Sequence, residues 1–150
     1  MYVDNSAVTD NTVTVTYNSN SANVIVAGNI AQYVDVTVSG AQVSIIQSEN
    51  VDDNVGKISY TLSGSSSNGG FYHEGSYKID LVLNGVTLTN PSGPAINIQN
   101  GKKINVTVKA GTTNTLVDGS NGDWKGCFRV KGHTELKGGG VLNITGKTAN

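Results

Sequence analysis

Apolar residues recur at every second position along most of this chain, and each alternating run ends on glycine or asparagine. Ile79, Leu81 and Leu83 alternate with Asp80 and Val82 before Asn84-Gly85. Ile104, Val106 and Val108 alternate with Asn105 and Thr107 before Ala110-Gly111. Val34, Val36 and Val38 run up to Gly40, Ile58, Tyr60 and Leu62 up to Gly64, and Leu142 and Ile144 up to Gly146. A period of two puts one set of side chains on one face of a strand, so these runs predict strands. The closing residues are those that tolerate left-handed backbone at a corner.

Earlier in the chain, Val13, Val15 and Tyr17 share one face of an entry strand, followed by a turn at Asn18-Ser19-Asn20 and a short apolar run, Val24-Ile25-Val26-Ala27. The runs after residue 78 read as strands of three to five residues separated by two to four turn residues. The corner glycines Gly40, Gly64, Gly85, Gly111 and Gly146 lie 21 to 35 residues apart. Three short strands per period in the twenties predict stacked coils, because a single coil cannot bury its own apolar edge. The predicted fold is all-β, a right-handed single-stranded parallel β-helix (solenoid). It forms one domain over residues 1–150, with N-terminal strands and a cap over 1–56 and regular coils over 57–150. Lys147-Thr148-Ala149-Asn150 reads as the opening of another coil, so the chain is expected to belong to a longer helix or to pair end to end through its last coil.

Composition agrees with strands and uncharged turns: Gly occurs 19 times and charged residues make up 14%. A formal net charge of -1 excludes a broad basic surface for nucleic acid or anionic membrane. Cys127 is the one cysteine, so no intrachain disulfide forms, and it reads as a small buried hydrophobe. No apolar run is long enough to span a membrane. Met1-Tyr2-Val3-Asp4 has neither the basic nor the apolar region of a signal peptide. The Asn, Ser, Thr and Gly content with few lysines leads to an extracellular or cell-surface expectation.

The segments Leu81-Val82-Leu83-Asn84-Gly85-Val86-Thr87-Leu88-Thr89-Asn90, Pro94-Ala95-Ile96-Asn97-Ile98 and Gly111-Thr112-Thr113-Asn114-Thr115-Leu116-Val117-Asp118-Gly119 carry a resemblance. Over residues 57–146 the chain resembles the bacterial carbohydrate-binding domain-containing β-helix family, whose members are similar in shape to pectate lyases. The resemblance implies non-catalytic binding of acidic plant polysaccharide such as polygalacturonate, assisted by Ca2+.

The candidate residues follow from chemistry. Residues 65–75 read as the longest irregular stretch, and its adjacent Phe71 and Tyr72 are candidate sugar platforms, with a hydrophobic lid as the competing role. Trp124 is a third platform candidate, with capping of the core as its competitor. Arg129 and Lys131 alternate on one strand and suit acidic sugar units. They are also the parts of a polysaccharide lyase, in which a base takes a proton and a cation neutralises the carboxylate. Hard Ca2+ prefers oxygen ligands, and Asp80, Asp118 and Asp123 are the candidates. Asp80 projects outward between Ile79 and Leu81, and as a plain face residue it would pair with Lys78 or Lys103. The loop starting at Asp118 has Arg129 where an EF-hand needs glutamate, so that motif is rejected. His73 and His133 lack neighbouring metal ligands and read as surface histidines. A structural adhesin or filament module is the third functional alternative beside binding and lyase activity.

Overall fold

The computed structural model describes residues 2–5, 7–118 and 127–145. The alternation becomes burial: Val13, Val15 and Tyr17 of β2 (Thr12–Asn18) point inward, as do Ala22, Val24 and Val26 of β3 (Ser21–Ala27). β1 (Tyr2–Asn5) lies parallel to β3. β2 and β3 are antiparallel, joined by a tight turn in which Ser19 takes a φ of 56°. The pair β4 (Val34–Ser39) and β5 (Ala41–Gln47) is also antiparallel, and turns at Gly40 with a φ of 59°. Positive φ matches the twist of a tight hairpin, so both turns reverse the chain.

Later strands pair in parallel. β6 (Ile58–Ser66), β7 (Gly69–Gly75), β8 (Ile79–Asn90), β9 (Ile96–Asn100) and β10 (Ile104–Val108) are followed by β11 (Thr113–Asp118), β12 (Phe128–Val130), β13 (Thr134–Lys137) and β14 (Val141–Thr145). The first sheet has the order β1-β3-β2-β6-β8-β10-β13, with β11 and β14 added beside the second half of β8. The second sheet has the order β12-β9-β7-β5-β4.

The all-β expectation holds, but the right-handed parallel β-helix does not. Among the described residues, fourteen strands make two mixed sheets, and no closed solenoid is found. Alternation looks the same in parallel and antiparallel strands, and the turns at Ser19 and Gly40 set the direction. Two local expectations also change. Most of residues 65–75 is strand β7, and the two short strands expected on either side of Gly85 form the single twelve-residue strand β8.

Stacked side chains fill the space between the sheets. Ile58, Ile79 and Ile104 are register partners, as are Leu62, Leu83 and Val108, all buried. Each fully buried aliphatic side chain contributes about 1.5–3 kcal/mol. In the last strands the packing thins: Leu136 is 63% exposed and Ile144 is 51% exposed. Two tyrosines join the sheets. Tyr17 donates its hydroxyl to the Gly70 carbonyl at 2.8 Å, and Tyr60 donates to Gln47 Oε1 at 2.6 Å.

His73 is a correction. The register that turns Tyr72 outward turns Phe71 and His73 inward, and His73 is fully buried edge-on to Tyr60, with ring centroids 4.8 Å apart. Neither ring nitrogen has a hydrogen-bond partner among the described residues, and burial pushes the imidazole down to about 3. Phe71 is likewise core, 2% exposed with its ring 6.1 Å from Tyr60, and offers a sugar no face. Cys127 is buried, and its thiol is pushed up to about 11 by burial and then by the Asp118 charge.

Because His73 is neutral when folded, the unfolded chain binds the extra proton below pH 6.5. Stability therefore falls as pH drops from 6.5 toward about 3. At pH 4.5 the loss from this group is about 2–3 kcal/mol, at about 1.4 kcal/mol per pH unit. Urea denaturation of His73→Phe at pH 7 and pH 4.5 is expected to show a smaller difference than the parent chain.

The bent strands yield a second test. Gly64 and Gly85 have φ of 83° and 76°, and the register between β6 and β8 shifts there. A methyl at Gly64 would run into the Tyr17 carbonyl, whereas one at Gly85 meets open space. Gly85→Ala should cost about 1–2 kcal/mol from its left-handed backbone alone. Gly64→Ala should cost clearly more, as read from urea midpoints.

Candidate functional site

The outer face of the second sheet collects the chemistry. Its strands are in register across the row Thr37, Ser44, Tyr72, Asn97 and Arg129, so these side chains leave the same face on neighbouring strands. Strands are about 4.8 Å apart, which puts the Tyr72 and Arg129 backbones about 10 Å apart with Asn97 between them. One step along the strands, Ile46, Glu74 and Gln99 form the next row. Lys131 follows β12 two residues beyond Arg129, its N–H donating to the Ile98 carbonyl at 2.9 Å.

Beside this row lies a cleft of about 200 Å³, lined by Gln42, Gly70, Tyr72, Asn90, Ser92 and Asn97 among others. Its shape depends on Gly70. Gln42 donates to Asn90 Oδ1 at 3.1 Å, and a methyl at Gly70 would come within 2.7 Å of both side chains. Asn90 also donates to the Pro94 carbonyl at 2.8 Å and accepts from the Ser92 N–H at 3.1 Å, which fixes the loop forming the far wall. Asn97 Oδ1 accepts a hydrogen bond from Gln99 Nε2 at 2.7 Å. Tyr72 is half-buried and donates to Glu74 at 3.0 Å. Burial, then that bond and the Glu74 charge, raise its phenol above the ordinary tyrosine range. Fixed amides offer donors and acceptors together, and the Tyr72 ring adds an apolar face with a polar tip. Such an array suits a ligand with many hydroxyls and flat apolar ring faces.

The fold brings together Tyr72, Arg129 and Lys131 of the expected carbohydrate residues, and removes Phe71 to the core. Trp124 and Asp123 lie outside the described residues. The expected calcium ligands Asp80 and Asp118 lie on separate strands. Asp80 faces outward at the start of β8, where Lys57 Nζ lies 3.0 Å from Oδ1, Asn105 donates to the same oxygen at 3.1 Å and Ser59 donates to Oδ2 at 3.4 Å. Its cationic partner is thus Lys57, not Lys78 or Lys103. Asp118 is 1% exposed at the end of β11. Among the described residues no three His, Cys, Asp or Glu side chains gather as a metal would require, and the expected site joining Asp118 to Asp123 reaches beyond those residues. His133 is exposed.

Gln42, Asn90 and Asn97 were not singled out from sequence. Asn97 carried a signal: it lies between inward Ile96 and Ile98 as Tyr72 lies between Phe71 and His73.

A pleated face of amides, an aromatic ring and a guanidinium is a surface whose chemistry suits sugars. Residues 39–150 match the family model described as carbohydrate-binding domain-containing protein, and the chain belongs to that family. No curated protein sequence matches the chain. Among solved structures, the chain is similar to the polysaccharide lyase-like protein from C. thermocellum, determined as a gadolinium derivative. The TM-score is 0.67 at 21% identity, covering 87% of this chain and 51% of that one. The likeness is one of fold, and the chain spans about half the length of that protein.

The cleft can be closed from below. Gly70→Val is expected to displace the Gln42–Asn90 bridge and to lower polysaccharide affinity by at least about tenfold, checked by calorimetric titration alongside circular dichroism for retained strand content.

Proposed function

We propose that the chain is a non-catalytic, extracellular or cell-surface module that binds polysaccharide on the outer face of its second sheet, with uronate-rich chains such as polygalacturonate as ligand. The row Ser44, Tyr72, Asn97 and Arg129 beside the 200 Å³ cleft is the observation that carries this. Family membership and a polysaccharide lyase-like neighbour support the carbohydrate class. Tyr72 packs against a sugar ring, the amides of Gln42, Asn90 and Asn97 bind its hydroxyls, and Arg129 takes a carboxylate through its planar fork. Lys131, on the same side, adds a second cation.

Calorimetric titration with polygalacturonate and with its fully methyl-esterified form, each with and without Ca2+, tests the proposal. Tyr72→Ala should weaken both by about tenfold or more, whereas Arg129→Ala should weaken only the charged polymer. Absence of heat in every condition would overturn the assignment. Growth of ultraviolet absorbance from unsaturated products would overturn its non-catalytic part.

A further inference from the structure

The charges of this chain are sorted along the stack of strands. Asp4, Asp10, Asp35, Glu49, Asp52 and Asp53 precede residue 57, and all 10 of the Lys and Arg residues lie from Lys57 onward. A near-neutral total thus conceals an acidic first part and a basic remainder.

The basic residues gather at one corner. The residues just before β6, β8, β10 and β13 are Lys57, Lys78, Lys103 and His133, and the strands that follow them are in register at Ile58, Ile79, Ile104 and Thr134. The corner turns themselves stack: the Ile79 N–H donates to the Lys103 carbonyl at 3.2 Å, and the Ile104 N–H to the His133 carbonyl at 2.8 Å. Gly132 lies so close to Lys102 that a methyl there would strike the Lys102 carbonyl. The backbones of four basic residues are thereby set in a column at the strand spacing of about 4.8 Å, with exposed Lys102 and Lys131 in the adjoining turns.

Like charges directly opposite one another on neighbouring strands destabilise a sheet. Part of the column is compensated, Lys57 by Asp80 at 3.0 Å and Lys103 by Glu135 at 3.3 Å. The nearby Asp53 accepts from the Tyr77 hydroxyl at 2.5 Å. Lys78 stands 5.7 Å over the Tyr77 ring, and neither Lys78 nor Lys102 has a carboxylate partner among the described residues. Lys78 and Lys102, on successive layers of this corner and without a carboxylate partner among the described residues, are an arrangement that a polyanion relieves.

We propose that this corner column holds an acidic polysaccharide by direct ammonium–carboxylate contacts, without a bridging metal ion. It rests on the carbohydrate-binding reading of the chain. A pyranose unit advances a polymer by roughly one strand spacing, so one carboxylate per sugar places a charge beside each successive layer of the corner. Asp80, already engaged by Lys57, then serves to position a cation of the column and is not itself a metal ligand.

Titration of the chain with polygalacturonate in excess chelator is expected to show binding, about tenfold weaker at 300 mM than at 50 mM salt, because exposed charges are screened. The double variant Lys78→Gln, Lys102→Gln should bind polygalacturonate at least about tenfold more weakly and fully methyl-esterified polygalacturonate unchanged. Its thermal midpoint should be equal to or above that of the parent, since like-charge repulsion is relieved. Binding lost in chelator and restored by Ca2+, or a double variant with unchanged affinity, would overturn the column. Loss of methyl-ester binding in Tyr72→Ala reports on the cleft separately, so either site can fail while the other stands.

Discussion

Register is the constraint on which the rest of this molecule depends. Ile58, Ile79 and Ile104 pair across three parallel strands, and the residues next to them, Ser59, Asp80 and Asn105, pair on the opposite face. A slip of one residue in any strand would carry its aliphatic set into water and its polar set into the core, and so the pairing is held by burial. The same lock sets both the outer row of the second sheet and the lysine corner. Tyr72, Asn97 and Arg129 share a row because Phe71, Ile96 and Phe128 share one inside. Lysines stand in a column because each precedes an isoleucine of the core ladder.

Corners convert this lock into a stack of layers. Asn114, fully buried, accepts from the N–H groups of Gly85 and Val86, both at 2.8 Å, and donates to Thr112 and the Val141 carbonyl. One side chain thus satisfies the backbone where β8 bends and ties it to two later layers. Asn100 acts similarly at the opposite corner, donating to the Tyr77 carbonyl at 2.7 Å and accepting from the Lys102 N–H at 3.0 Å. Buried backbone groups left unpaired would cost about 1–3 kcal/mol each, so these amides are structural. The turn that presents Lys102 is anchored by one of them.

Polar groups inside the sandwich are handled less evenly. Tyr60 donates to Gln47 Oε1, while Gln47 Nε2 and both nitrogens of His73 have no partner among the described residues. An apolar surrounding of Ile45, Ile98 and aromatic rings keeps the imidazole neutral, and makes this part of the interior acid-sensitive.

Alternation by itself determined that the protein is all-β, which residues of most strands face inward, and that asparagine and glycine form the corners, because a period of two and a left-handed backbone are local properties. It also placed Asp80 and Arg129 outward, which the fold bears out. Strand direction was not legible: Val24 and Val43 alternate alike whether they run with or against their neighbours, and the reversals at Ser19 and Gly40 made the sheets mixed where a parallel helix was expected. His73 and Phe71 sat in a stretch read as irregular, so their inward phase was hidden until β7 took its place between β5 and β9. Which residues meet is a matter of pairing between segments 21 to 32 positions apart. Only the tertiary structure, by setting that pairing, brought Asn97 between Tyr72 and Arg129, gave Asp80 to Lys57, and lined up Lys57, Lys78 and Lys103.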